Sequence, residues 1–335
     1  MKTSNESTEW SHVIATDIPK DAKWTFAKEL ESALNVHFKV EHSDGRANVS
    51  RFYRIIIYIT KALKLFFHKS QINLLISWQQ FFGLIFASLC HLFHSRKQTN
   101  LIIMMFIYRP KSGVIGKLYR WWVHSTLSSG YIDHILVYSQ HEIEYYARLL
   151  DVDSHLFHFI PLAIDKEDIQ NVGDDGFWFS TGKSNRDYEF LINTLANTEH
   201  HLEIACDTLP QPKVQNIKVH HKTFGNDMLA LMGRAHGVII SLDDENVSSG
   251  QLVILQAMSL GKPIIITHSY ATSDYVKNET NALIIDKTPQ ALLQTIERLN
   301  TDDKLYHRLS IASKEHFNKY HSMNAFARGV ANLIN

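Results

Sequence analysis

The chain has 335 residues, of which 45% are hydrophobic and 11% aromatic, and its 34 Lys and Arg balance 34 Asp and Glu. This length exceeds one average domain and the apolar content suffices for two cores, so we expect two domains. The two cysteines, Cys90 and Cys206, lie far apart in apolar runs, which argues against a disulfide framework or a cysteine metal site and favours a reducing, cytoplasmic setting.

The positive charge is concentrated in one segment of the first half. Residues 45–132 contain no Asp or Glu but twelve Lys and Arg. Such a segment predicts an anionic neighbour, either a membrane surface or nucleic acid. The polar start, MKTSNESTEW, lacks an apolar run, so we expect no signal peptide.

The first half alternates between predicted strands and helices. Strands are predicted at 12–16, 36–40, 73–77, 101–106, 133–139 and 156–160, and helices at 21–34, 51–69, 79–93 and 140–150. The segment 51–69 mixes aromatic, aliphatic and basic residues, which fits either a helix in a membrane interface or a core helix with extended cations. Polar residues interrupt 72–94, which argues against a membrane span. We predict a basic loop at 108–122 and a linker at 163–176.

The second half repeats the same alternation. Strands are predicted at 177–181, 202–206, 217–220, 238–242, 264–267 and 282–286, and helices at 186–195, 227–234, 249–261 and from residues 289 and 302. Asn226 is the predicted cap of the helix at 227–234. Together the two halves predict two doubly wound α/β domains with a cleft between them.

The loop after the predicted strand 238–242 is a candidate anion site. Ser248, Ser249 and Gly250 place small residues at the start of the next helix, where free backbone N–H groups and the positive end of the helix dipole coincide. An ordinary serine cap on a core helix explains the same residues equally well.

Two segments carry a resemblance to a known family. STGKSNRDYEFLI at 180–192 and SSGQLVILQAMSLGKP at 248–263, in this order of elements, resemble the carboxyl-terminal domain of glycosyltransferase family 4 (glycosyl transferases group 1), retaining enzymes with the GT-B fold. The resemblance is good over 133–325 and only topological over 1–132. It implies an α/β GT-B architecture of two Rossmann-like domains facing each other across a cleft. The implied parts are an acceptor-side domain at 1–165, a linker at 166–176, a donor domain at 177–318 and a terminal helix at 319–335 that packs back on the first domain.

The resemblance also implies a set of site residues. Lys183 and Arg186 occupy the positions of two basic residues that grip the donor diphosphate, although solvated charges would explain them without the resemblance. The family's two glutamates fall on Ser248 and Gln256, so this chain departs from the pattern. Gln256 can still pair with ribose hydroxyls, and Asp243, Asp244 or Glu245 could replace the missing sugar contact. The remaining expected contacts are Gly182, Ser249, Gly250, Gln251, Leu252, Asp207, Thr208 and Phe224 for the donor, and Arg109, Lys111 and Ser139 for the acceptor.

The implied activity is transfer of a sugar from a nucleotide-diphosphate sugar, with UDP the favoured nucleotide, to a glycan or polyprenyl-linked acceptor in polysaccharide or cell-surface glycan synthesis. We expect a retaining, metal-independent transfer with no cofactor, by a cytoplasmic protein that could attach to the inner face of the cell membrane. Nucleic-acid binding would leave the anion loop without a role, so we do not expect it. Two alternatives stay open: a nucleotide-sugar epimerase of the same fold, and a non-catalytic partner subunit.

Overall fold

The structure of the protein is a computed structural model that describes residues 10–43, 50–166, 168–170, 172–245 and 249–334. The chain divides into two compact units. The first runs to Ile160 and includes the end of the chain from Phe326, and the second spans Pro161–Ala325. The division falls five residues before the boundary that the sequence predicts at 165.

The first unit is a parallel sheet with helices in the crossovers. Its strands are β1 (His12–Thr16), β2 (Lys39–His42), β3 (Leu74–Ser77), β4 (Asn100–Ile103), β5 (His134–Val137) and β6 (Phe157–Phe159), in the order β2-β1-β3-β4-β5-β6. Its helices are α1 (Phe26–Leu34), α2 (Arg51–Phe67), α3 (Gln80–Leu92), α4 (Gly113–Leu127) and α5 (Gln140–Leu150). Every strand pair is parallel, so all strands end at one edge of the sheet.

One core of this unit joins the sheet to the four helices α2 to α5. Val13, Leu75 and Ile135 from the strands pack against Leu65, Phe82, Val123 and Tyr146 from the helices. The strands are short apolar runs buried on both sides, as expected for a parallel sheet covered by helices.

The basic loop predicted at 108–122 is wrong, because most of it is the helix α4. The glycines and cations of this segment suggested a loop, although the segment also begins an apolar helix face that includes the buried residues Val123 and Leu127. Gly113 has φ +75°, and a Cβ at Gly116 would lie 1.9 Å from the backbone oxygen of Lys111. The two glycines therefore fit a tight approach of the chain to the helix start rather than a flexible loop.

The segment 72–94 consists of β3 and α3, as the sequence predicts. In the part of the chain that the structure describes, no helix is both long enough and apolar enough to cross a membrane.

The second unit has the same architecture. Its strands are β7 (Phe177–Thr181), β8 (His201–Ala205), β9 (Ile217–His220), β10 (Gly237–Ile240), β11 (Ile264–Thr267) and β12 (Leu283–Ile285), in the order β12-β11-β10-β7-β8-β9. Its helices are α6 (Tyr188–Leu195), α7 (Asn226–Arg234), α8 (Gln251–Ser259), α9 (Pro289–Thr301) and α10 (Asp303–His316). All strand pairs are parallel, with a separate core on each face of the sheet. Asn226 is the first residue of α7 rather than its cap, because Gly225 with φ +59° precedes the helix.

The segment predicted as a linker is bound to the second unit. Lys262, only 3% exposed, donates to the backbone oxygens of Gly173 and, at 2.7 Å, of Ala235. Burial lowers the pKa of this lysine. Asp174 Oδ2 accepts from Nδ1 of the His236 ring at 2.7 Å, and Asp175 pairs with Arg234. These contacts fix 173–176 on the second unit.

The chain leaves and re-enters the first unit through two paired segments. The N–H of Ile164 donates to the oxygen of His321 at 3.2 Å, and Nδ1 of the His321 ring lies 2.9 Å from the oxygen of Leu162. The last helix, α11 (Met323–Ile334), follows. Its Phe326 contacts the rings of Phe26, Trp78 and Tyr138 in the first unit.

Candidate functional site

The candidate site lies at the carboxyl edge of the second sheet, where the direction of strand addition reverses. From β7 the chain adds β8 and β9 on one side, and β10, β11 and β12 then continue on the other side. Open α/β sheets bind ligands at this reversal, outside the carboxyl ends of the central strands. The loop after β7, at 182–187, and the loop after β10 therefore form the candidate site.

Arg186 is the central cation of the site. Its Nε donates to the oxygen of Thr181 at 3.0 Å and its Nη1 to the oxygen of Ser184 at 2.8 Å. Burial lowers the pKa of the guanidinium, and no carboxylate of a described residue forms an ion pair with it. A half-buried guanidinium without a carboxylate partner is suited to an anionic ligand.

One glycine allows the guanidinium of Arg186 to lie where it does, and a second glycine lies next to it. A Cβ at Gly182, which has φ +123°, would lie 2.6 Å from Nε of Arg186. At Gly250, with φ +98°, a Cβ would lie 3.9 Å from Nη2. Gly250 is the cap of α8 and provides no side-chain acceptor, and the N-terminus of a helix favours an anionic ligand. Arg186 and the α8 N-terminus thus converge.

Asn185, which the sequence reasoning missed, connects the two loops. Its Nδ2 donates to the oxygen of Asp244 at 2.7 Å and to Oγ of Ser249 at 3.1 Å, while its Oδ1 accepts from the N–H of Asp244 at 2.7 Å. Asn185 has φ +55°, a conformation that asparagine tolerates better than most residues. The feature of the sequence that could have identified Asn185 is its position directly before the basic residue Arg186.

Lys287, also missed, joins the loops after β12 and β10 to the start of α6. Its Nζ lies 3.0 Å from Oδ2 of Asp187 and donates to the oxygens of Leu242 and Asp243 at 3.3 and 3.1 Å. Oδ1 of Asp187 caps α6 by accepting from the N–H of Phe190 at 2.9 Å. Since Lys287 follows the end of β12, its place at this edge could have been inferred from the parallel sheet.

Lys183 and Asp207 form an exposed pair on the other flank. Nζ of Lys183 lies 3.4 Å from Oδ2 of Asp207, while Oδ1 accepts from the N–H of Lys222 at 2.7 Å. The hydrogen bond from the backbone of Lys222, followed by that from Lys183, lowers the pKa of Asp207. Oγ1 of Thr208 lies 3.5 Å from Sγ of Cys206. Lys183 therefore stands at the same edge as Arg186 but beside a carboxylate.

The other predicted donor contacts lie just before α7 or in α8. Phe224 is exposed directly before Gly225, Leu252 is exposed, Gln251 is buried and Gln256 is half-buried. Ser248 lies outside the described residues. Glu245, one of the acids considered as a replacement, lies with Oε2 3.3 Å from Nδ1 of His268.

The acceptor-side predictions fall in the first unit. Arg109 and Lys111 are exposed just before α4, and Nζ of Lys111 lies 4.6 Å from the ring centroid of Tyr119. Ser139 is 1% exposed at the start of α5, where Oε2 of Glu142 accepts from its N–H at 3.1 Å. The structure therefore gives Ser139 a capping role in the helix. Within the described ranges, no cluster of three or more His, Cys, Asp or Glu could hold a metal ion.

The comparison with known families matches part of the second unit. Residues 214–316, which include α7, β10, α8 and β11, match the family described as glycosyl transferases group 1. Among curated proteins, none matches the chain significantly.

Solved structures resemble the chain over nearly its full length. Sucrose-phosphate synthase from Thermosynechococcus elongatus has a TM-score of 0.68 at 15% identity, over 96% of this chain and 98% of that one. Anabaena HepE, in complex with UDP and glucose, has a TM-score of 0.65 at 11% identity, over 97% and 99%. WaaG, a glycosyltransferase involved in lipopolysaccharide biosynthesis, has a TM-score of 0.62 at 11% identity, over 96% and 99%. These similarities confirm the predicted α/β GT-B fold, with two Rossmann-like domains.

Proposed function

We propose that the protein is a glycosyltransferase that uses a nucleotide-diphosphate sugar as its donor. The observation that carries the proposal is the guanidinium of Arg186, which is half-buried beside the N-terminus of α8 and has no carboxylate partner among the described residues. A leaving nucleoside diphosphate develops negative charge, and cations and helix N–H groups aimed at it stabilise that charge. The match to glycosyl transferases group 1 at 214–316 supports the same chemistry.

Each part of the site takes a defined role in this proposal. Arg186 and the first N–H groups of α8 hold the diphosphate, and Lys183 joins them once the phosphate competes with Asp207 for its ammonium. Gln256 pairs with the ribose hydroxyls, because its amide both donates and accepts. Asp207, Thr208 and Phe224 lie beside the nucleobase.

The donor is a UDP-sugar in this proposal, since Anabaena HepE was crystallised with UDP-glucose and shares the fold. The transfer retains the anomeric configuration and uses no metal or cofactor, and the acceptor is a glycan or a polyprenyl-linked sugar in cell-surface polysaccharide synthesis. These finer assignments derive from the family resemblance at 180–192 and 248–263.

A binding screen followed by a transfer assay tests the proposal. Uridine, guanosine, adenosine and thymidine diphosphates and their sugars are added in a thermal-shift screen, where a hundredfold excess over the dissociation constant stabilises by about 2.7 kcal/mol. Lys183→Ala is expected to reduce transfer about tenfold or more by removing one charge-assisted contact. The matched control is Lys304→Ala, since Lys304 is exposed on α10 away from this edge.

The assay also separates the alternatives. Donor conversion without any acceptor would identify an epimerase. Nucleotide binding without transfer or hydrolysis would identify a non-catalytic subunit, which the replacement of glutamate by Gln256 favours. If no diphosphate binds and Lys183→Ala leaves transfer unchanged, the proposal fails.

A further inference from the structure

A basic apolar face on the first unit has no role in the proposed transfer site. It consists of the outward side chains of α2 and α4. On α2, Phe52, Tyr53, Ile55, Ile56 and Ile59 are 41–74% exposed, and on α4, Val114, Ile115, Leu118 and Trp121 are 60–78% exposed. Exposed apolar residues in such numbers on two neighbouring helices mark an interaction surface.

The inward sides of the same helices make the packing contacts with the rest of the unit. Tyr58 of α2 stacks on Phe81 with centroids 5.5 Å apart. On α4, Nε1 of Trp122 donates to Oγ of Ser88 at 3.0 Å, and Val123 is fully buried. The exposed residues of α4 occur at 114, 118 and 121, a spacing that places them on one side of a helix. Each helix therefore has a packed side and a separate apolar side.

The two exposed rows lie at the same end of the unit. Both α2 and α4 pack against α3. Helix α2 connects β2 to β3, and α4 connects β4 to β5, in a sheet whose strands are all parallel. They consequently run in the same direction, with their first turns at the carboxyl edge of the sheet. The residues of the face lie at 52–59 in α2 and at 114–121 in α4, towards the start of each helix, so the two rows belong to one side of the unit. Phe67, at the end of α2, is exposed as well.

The charges of α4 and of the segment before it are of one sign, whereas on α2 Lys61 and Lys64 pair with Glu41 and Arg54 interacts with Asp17. Residues 45–132 contain no Asp or Glu, and four exposed cations, Arg109, Lys111, Lys117 and Arg120, lie in α4 or just before it. None of the four forms an ion pair with a described residue. A second copy of this face would bring like charges together, and a nucleic acid would leave the apolar row exposed. An anionic surface with an apolar interior satisfies both features.

We infer that the basic apolar face docks on an anionic lipid bilayer. Val114, Ile115, Leu118 and Trp121 enter the boundary between headgroups and acyl chains, while the cations of α4 contact anionic headgroups. The helices lie on the membrane rather than cross it, in agreement with the lack of a membrane-spanning helix in the described part of the chain. This inference goes beyond the proposed transfer reaction, and it holds or fails independently of the donor site.

Vesicle co-sedimentation of the full chain tests the inference. We expect binding to phosphatidylcholine vesicles that contain about 30% phosphatidylserine, weakening as salt screens the headgroup charge, and little binding to phosphatidylcholine alone. Lys117→Glu with Arg120→Glu is expected to weaken binding at least about 25-fold, since each lost cation alone accounts for about fivefold. Ile115→Ser with Leu118→Ser is expected to weaken it by at least about tenfold through lost apolar burial.

Matched controls come from α10 in the second unit. Ile311 is 60% exposed and Lys304 is exposed, so Ile311→Ser and Lys304→Glu change the same chemistry elsewhere and should leave vesicle binding unchanged. Since all the substituted side chains are exposed, circular dichroism and thermal unfolding should match the unmodified protein. Nucleoside diphosphate binding should also be unchanged in every variant, which separates this test from that of the donor site.

Three results would overturn the inference. The first is no binding to anionic vesicles at low salt, and the second is equal binding of the α4 variants and the α10 controls. The third is sedimentation of a dimer that Ile115→Ser with Leu118→Ser dissociates, because the face would then join two copies of the chain.

Discussion

Replacing Arg186 by Gln should abolish most of the affinity for a nucleoside diphosphate. The substitution removes the cation that lies over Gly182 and beside the first turn of α8 but keeps a donor for the oxygen of Thr181. An arginine and a phosphate commonly share two charge-assisted hydrogen bonds, and each such bond contributes about 1.5–3 kcal/mol. We therefore expect a loss of about 3 kcal/mol, or a rise in the dissociation constant of roughly 100-fold.

The assay is isothermal titration of UDP into the folded variants. Arg298→Gln is the matched control, since Arg298 pairs on the surface with Glu279 and should leave UDP binding unchanged. Gly182→Ala provides a second route to the same defect, because its Cβ would lie 2.6 Å from Nε of Arg186 and displace it. The effects of Gly182→Ala and Arg186→Gln should consequently not add in the double variant.

Unchanged UDP affinity in a folded Arg186→Gln protein would refute the assignment of the diphosphate to this edge. Additive losses in the double variant would instead show that Gly182→Ala acts without moving the guanidinium, which would contradict the geometric argument while leaving the site intact.

Two further predictions concern the segments that connect the units. Lys262→Met should lower the free energy of unfolding, measured by urea titration, by about 2 kcal/mol, because the buried oxygens of Gly173 and Ala235 lose a charged donor. An unchanged free energy of unfolding would show that water replaces the ammonium group. Burial lowers the pKa of His321 from 6.5 to about 4, so the folded state resists protonation of this ring. The contribution of His321 to the free energy of unfolding is full above pH 6.5, and the stability should fall by up to about 3 kcal/mol as the pH drops towards 4. His321→Gln, which retains a donor for the oxygen of Leu162, should lose this pH dependence in thermal unfolding measured over the same range, and an unchanged pH profile would contradict the argument.

The strands of both sheets could largely be predicted from the sequence. Short apolar runs such as 12–16, 177–181 and 264–267 match β1, β7 and β11 to the residue, because a strand covered on both faces must be apolar throughout. Helix α4 was missed since its outer face is also apolar and its glycines suggested a loop. The amphipathic pattern that identifies most helices depends on a polar outer face.

The residues of the candidate site were likewise only partly predictable from the sequence. The sequence by itself determined that Gly182, Arg186 and Gly250 occur at the ends of two strands of one parallel sheet, and parallel strands must end at the same edge. Only the tertiary structure decided that Arg186 is half-buried without a carboxylate partner among the described residues, and that Lys183 stands beside Asp207 instead. Sequence patterns specify which edge a residue occupies. The partner of its side chain depends on the conformation of loops such as 182–187. In this loop Asn185 bonds to Ser249, 64 residues away in the chain, and Asp187 pairs with Lys287.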